Sequence, residues 1–138
     1  MEERADSLFA VAQRAAALQP AAEAVIHSCG VARTRPEDEP VPKALADDAR
    51  RIAAGFRRLR DELERLRVTG DDAAELAGLL DWHGDVVTRA LRIAAERGPD
   101  DPIFDGLGRS AARLTVVRDR LRRGTTVAGR EVEDVPGF

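Results

Sequence analysis

The chain has 138 residues, of which 43% are hydrophobic and 34% charged. That is one domain with enough apolar material for a core, and it excludes an intrinsically disordered chain. A net charge of −3 excludes a global pull towards nucleic acid or anionic membrane, and the single cysteine, Cys29, excludes an internal disulfide.

A lone cysteine fits a reducing compartment. The acidic start Met1-Glu2-Glu3-Arg4 lacks the apolar core of a secretory signal, and no run approaches the ~20 apolar residues that cross a bilayer. Of the 22 basic residues 21 are Arg and only Lys43 is Lys, a bias that fits a GC-rich bacterial genome. The expectation is a soluble, bacterial, cytoplasmic protein.

The first apolar stripe is Leu8, Val11, Ala15, Leu18, Ala22, Val25 and Cys29, spaced by threes and fours. It predicts a helix kinked or split at Pro20 and stopped at Gly30. Residues 31–42 hold three of the seven prolines and predict a loop, with Pro42 in the first turn of the next helix. Leu45, Ala49, Ile52, Phe56, Leu59, Leu63 and Leu66 then repeat at 4-3-4-3-4-3, a heptad seam. That long second helix could also pair with a copy of itself.

Val68 to Asp72 predicts a break, with Asp72 and Glu75 as a capping box for the third helix. Its stripe is Leu76, Leu80, His83, Val87, Ala90 or Leu91, and Ala94, widened by Leu79, Trp82, Val86 and Ile93, and it should end near Arg97-Gly98. Asp101-Pro102 predicts the start of a fourth helix carrying Ile103, Leu107, Ala111, Leu114, Val117 or Arg118, and Leu121, and ending near Arg123-Gly124. The fold class expected is all-α: an antiparallel four-helix bundle over residues 1–124, followed by a non-helical tail, 125–138, docked through Val127, Val132, Val135 and Phe138.

Charge changes sign with these elements. Residues 1–48 carry −4, 49–70 carry +4, 71–105 carry −6, 106–130 carry +6 and 131–138 carry −3. In an antiparallel bundle each helix then meets a neighbour of opposite sign, so the pattern predicts mutually compensating faces. The surplus falls at the end of the fourth helix, where Arg113, Arg118, Arg120, Arg122 and Arg123 form a candidate interaction surface. The acidic tail, Glu131 to Asp134, is a candidate cover for it.

Chemistry-bearing patterns are sparse. Asp81-Trp82-His83-Gly84-Asp85 brings the sole tryptophan beside one of two histidines, but neighbours on a helix point about 100° apart and do not converge. His83 sits on the core stripe, which predicts a buried neutral imidazole; Trp82 is expected to fill the bundle's widest part. The functional alternative is an inter-helix pocket at Trp82 and His83. Trp82-His83-Gly84 also resembles the W-x-G turn of small secreted helical-hairpin proteins. The hairpin turn here is expected at 68–72 instead, and a chain without Tyr lacks that family's export signal.

His27 and Cys29 point in nearly opposite directions on one helix, and neither histidine has a Glu three residues before it, so no metal site is expected. Cys29, on the core stripe, reads as an inert small hydrophobe. Gly106-Leu107-Gly108-Arg109-Ser110 lacks the preceding strand of a phosphate-binding loop. No catalytic or cofactor-binding residue is assigned.

The expected function is therefore a non-enzymatic helical interaction or assembly module, binding another protein or itself as a homodimer. One alternative is an accessory subunit that contacts nucleic-acid phosphates through the Arg-rich fourth helix. The other is a small-molecule binder using the Trp82/His83 pocket. No membrane partner is expected.

Overall fold

A computed structural model describes the backbone of residues 2–134 and the side chains of residues 7–123. Among these residues the chain is all-helical: α1 is Glu2–Ala32, α2 Lys43–Leu66, α3 Asp71–Glu96 and α4 Gly108–Asp134, with one 3-10 turn at Pro102–Asp105. α1 and α3 each pack on α2 and α4, and they also touch one another.

The heptad stripe of α2 does what its spacing predicts. Ala49, Ile52, Phe56, Leu59 and Leu63 are buried, with Leu45 and Leu66 partly so at the ends. They meet Leu8, Val11, Ala15, Ala22, Val25 and Cys29 of α1, and Leu76, Leu80 and Val87 of α3, in one apolar cluster. Leu107, Leu114, Val117 and Leu121 complete it. Each fully buried aliphatic side chain contributes about 1.5–3 kcal/mol by leaving water, so this seam is the main source of stability.

Cross-helix partners fix the relative order of the helices. Arg14 pairs with Glu62 near one end of the α1–α2 seam, and Leu18 packs beside Gly55 further along. Arg60 meets Asp81 and Arg57 meets Thr88 between α2 and α3. Arg120 meets Asp72 and Ser110 meets His83 between α3 and α4.

Four expectations are corrected. Pro20 does not split the first helix, which runs unbroken through it. Proline removes one backbone hydrogen bond, but Pro20 is exposed, and buried Ala15, Ala22 and Val25 on the opposite side hold both halves in register. Asp101-Pro102 does not open α4. The Asp101 carboxylate caps the separate 3-10 turn by accepting from Ile103 N at 3.0 Å. Gly106 at φ 103° and Gly108 at φ 48° then turn the chain before α4 begins.

The capping box at Asp72 and Glu75 does not form. Gly70 is the N-cap of α3 with no side-chain cap, because both carboxylates reach across to α4. Finally, α4 continues past Arg123-Gly124 to Asp134, so residues 125–134 are helical rather than an irregular tail. The expected docking of Val127, Val132, Val135 and Phe138, and the cover from Glu131 to Asp134, lie outside the described side chains.

Two glycine substitutions separate helix propensity from turn geometry. Gly78→Ala, in α3 with open space around it, is expected to raise the unfolding free energy by about 0.5–1 kcal/mol. Gly106→Ala combines a positive φ with a clash against the Glu23 carboxylate and is expected to lower it by about 1–3 kcal/mol. Denaturant titration of both variants checks the pair; equal effects would contradict it.

Candidate functional site

The arginines proposed as one surface on α4 are divided between two sides of the helix. Arg113 and Arg120 are seven residues apart and face α3. Arg113 grips Glu75 with both Nε and Nη2, the latter at 2.9 Å from Oε1, and Arg120 Nη1 donates to Asp72 Oδ1 at 2.6 Å. The hydrogen bond from Arg113 holds the Glu75 carboxyl below the usual carboxylate range. Arg122 faces α1 instead, its guanidinium 5.6 Å from the centre of the Phe9 ring. Arg118 Nη2 lies 3.2 Å from the adjacent Asp119, and Arg123 is exposed. The acidic third helix and the basic fourth helix thus neutralise one another along their shared seam.

The glycine turn before α4 is already occupied. Leu107 N donates to Glu23 Oε1 at 2.9 Å, so a carboxylate from α1 sits where an anion would approach this helix start. A negative side chain there also complements the positive end of the helix dipole.

Trp82 and His83 do not share a cavity. Trp82 is 46% exposed rather than filling the core, and it lines a groove of about 280 Å³ with Asp85, Val86, Thr88, Arg89 and Arg92. His83, turned about 100° from it around α3, is fully buried. Its ring lies 5.3 Å from that of Phe56, tilted by 60°, and its Nε2 is 3.1 Å from Ser110 Oγ. Ser110 Oγ donates to Leu107 O at 2.7 Å, so it must accept from the imidazole. That places the proton on Nε2 and leaves Nδ1 as a buried acceptor without a partner. Trp82-His83-Gly84 lies in the middle of α3, not at a turn.

Cys29 is buried, and burial pushes its thiol up to about 11, so no thiolate forms near neutrality. His27 is exposed on α1. Among the described residues no group of three or more His, Cys, Asp and Glu is placed to hold a metal, and no helix is long and apolar enough to cross a membrane.

Sequence reasoning missed an arginine clamp at the end of the molecule that holds the proline-rich loop. Arg35 Nη1 donates to Ala32 O at 3.0 Å and to Ala94 O at 2.6 Å, joining the last carbonyls of α1 and α3, while its Nε holds Glu39 O at 2.7 Å. Arg97 Nη2 reaches back to the carbonyls of Pro36, Glu37 and Glu39. Arg33 adds Gly98 O at 3.2 Å. Cations at helix C-termini satisfy orphan carbonyls and oppose the dipole. The arginines themselves were visible in the sequence; the carbonyls they serve are distant in it and carried no signal. Beside this clamp an open groove of about 740 Å³ runs past Val31, which is 63% exposed, to Pro40, Pro42 and Leu45.

Burial lowers the His83 pKa to about 4 from 6.5 for a solvated imidazole. The unfolded chain takes up a proton as pH falls below 6.5, and the folded chain resists until about 4. The stability this group contributes is complete above pH 6.5 and is lost as pH falls towards 4. Between pH 7 and 4.5 the loss is expected to be about 2–3 kcal/mol. Unfolding titrations of the wild type and His83→Leu at both pH values should differ by that amount in slope; parallel behaviour would contradict a neutral buried imidazole.

Comparison of the chain with protein-family models, with curated proteins and with solved structures found no match.

Proposed function

We infer that the chain is a helical interaction or assembly module of a bacterial cytoplasm, which works by binding a protein or a second copy of itself rather than by catalysis. The observation that carries this reading is the division between interior and surface. The centre of the fold is filled by Phe56, Ile26, Ile52, Leu76, Leu80 and Leu114, each under 2% exposed. Among the described residues, the large apolar side chains left outside are Val31, Trp82 and Val116. Scattered exposed apolar groups need no explanation, but Val31 and Trp82 each border a groove.

The order of the cross-helix pairs supports an up-down-up-down bundle. Along each seam, rising positions on one helix meet falling positions on the next: 14 with 62 and 18 with 55, 57 with 88 and 60 with 81, 72 with 120 and 83 with 110. Such a bundle presents whole helix faces to a partner without disturbing its core. The bias of arginine over lysine supports the bacterial source, and a buried, unactivated Cys29 is compatible with a reducing cytoplasm.

The phosphate-binding alternative loses its main support because Arg113 and Arg120 are engaged by Glu75 and Asp72. Two measurements test the proposal together. Light scattering across a range of protein concentration should show self-association, or a defined partner should co-elute from the source lysate. Gel-shift assays with duplex DNA and single-stranded RNA at low salt should show no complex. A strict monomer without a partner, or a salt-sensitive nucleic-acid complex, would overturn it.

A further inference from the structure

The outward ridge of α3 is built from Gly78, Asp81, Trp82, Asp85, Thr88, Arg89, Arg92 and Ala95, all exposed and spaced to fall on one helical face. Between Asp81 and Arg92 its charge order is self-complementary, and Glu96 lies beyond, at the end of the same face. Two aspartates precede Thr88 and two arginines follow it, with the tryptophan on the acidic half. Reversing the helix direction therefore lays acid on base and base on acid.

The shape agrees with the charge. The ridge is flanked on one side by the groove lined with Trp82, Asp85, Val86 and Arg89. On the other side lies a groove of about 460 Å³ against α2, floored by Ala49, Ala53, Leu91 and Ala95. Thr88 and Arg92 border both grooves. A ridge between two grooves is the form that packs against a copy of itself, ridge into groove.

Two side chains on the ridge are left over by the fold. Arg89 binds Asp101 at 3.3 Å and Asp81 binds Arg60 at 3.3 Å. Asp85 and Arg92, by contrast, make no hydrogen bond or ion pair among the described residues, where other inter-helix positions such as Glu62, Glu75 and Asp72 are matched.

We propose that two copies of this chain associate through the α3 ridge, antiparallel about a two-fold axis that passes between Asp85 and Arg89. This deepens the interaction-module reading and rests on it. Symmetry about the midpoint of Asp85 and Arg89 sets Asp85 opposite the second copy's Arg89 and Trp82 opposite the second copy's Arg92. The first pair is an ion pair and the second a cation–π contact, and each occurs twice because the interface is isologous. The occupant is a second copy rather than an unrelated acidic or basic protein, because the ridge carries both signs in the order that cancels on reversal.

The test is a charge exchange followed by sedimentation equilibrium. Asp85→Arg sets arginine against arginine in a homodimer, and Arg89→Asp sets aspartate against aspartate. Each single variant is expected to lose about a hundredfold or more in dimer affinity and to sediment as a monomer. An equimolar mixture of the two restores both pairs and is expected to form a heterodimer. Trp82 emission should shift to the blue on association of the wild type and of the mixture, and not in either variant alone. Both positions are exposed, and circular dichroism confirms that each variant retains its helices. A monomeric wild type, or variants whose mixture fails to associate, would overturn the proposal. Dimers that survive both substitutions would also overturn this face, while leaving assembly through another surface intact.

Discussion

The junction at His83 is the contact on which the arrangement of three helices depends. Phe56 of α2 lies against the imidazole, and Ser110 Oγ of α4 accepts a hydrogen bond from its Nε2–H while donating one to Leu107 O. A polar side chain taken into the core without a partner costs about 1–3 kcal/mol, so this hydrogen bond ties the middle of α3 to the first turn of α4. A charged imidazole there has no facing carboxylate and is excluded by desolvation. The result is a centre filled by side chains, in which the one buried histidine is a structural strut. The proposed function accordingly lies on the outside.

Around that core the charge pattern acts as a rule of arrangement more than a source of stability. Arg14–Glu62, Arg60–Asp81, Arg113–Glu75 and Arg120–Asp72 cross three different seams. Each is partly exposed, so solvent screening leaves it little to add to stability. Like charges would face one another if the helices were exchanged, and that penalty favours one order of packing over others. The positive charge at the end holding the proline-rich loop has a different use. Arg35 and Arg97 bind carbonyls instead of carboxylates and fasten an otherwise irregular segment onto two helix ends.

The apolar periodicity made the four helices and most of the core legible. Ala49 to Leu63 and Leu76 to Val87 are buried as their spacing requires, and α3 stops at Arg97-Gly98 as expected, with Arg97 in the left-handed conformation. Local signals misled where a distant residue competed for the same group. Asp72 and Glu75 have the spacing of a capping box, but Arg113 and Arg120 take both carboxylates. Asp101-Pro102 is a sound helix start, but the glycines at 106 and 108 and the carboxylate of Glu23 divert the chain before α4. Trp82 shares the spacing of the flanking apolar stripe with Leu79, Val86 and Ile93, but its place on the helix puts it outward, beside Asp85 and Arg89.

A site composed of side chains from one exposed helix face leaves no motif, because its order is a matter of symmetry and not of catalytic spacing. Hence the α3 ridge was hidden in a sequence whose charge blocks drew attention to α4. The interior and the ridge are linked through one helix: α3 is held in rotation by His83 on its inner side, and that rotation turns Trp82, Asp85, Arg89 and Arg92 outward. The most direct measurement is therefore of His83 itself, by nitrogen-15 NMR of the imidazole across pH 7 to 4.5. The account predicts a neutral ring protonated on Nε2, with an unprotonated Nδ1 resonance that does not move until pH approaches 4. Titration near 6.5, or a proton on Nδ1, would contradict it.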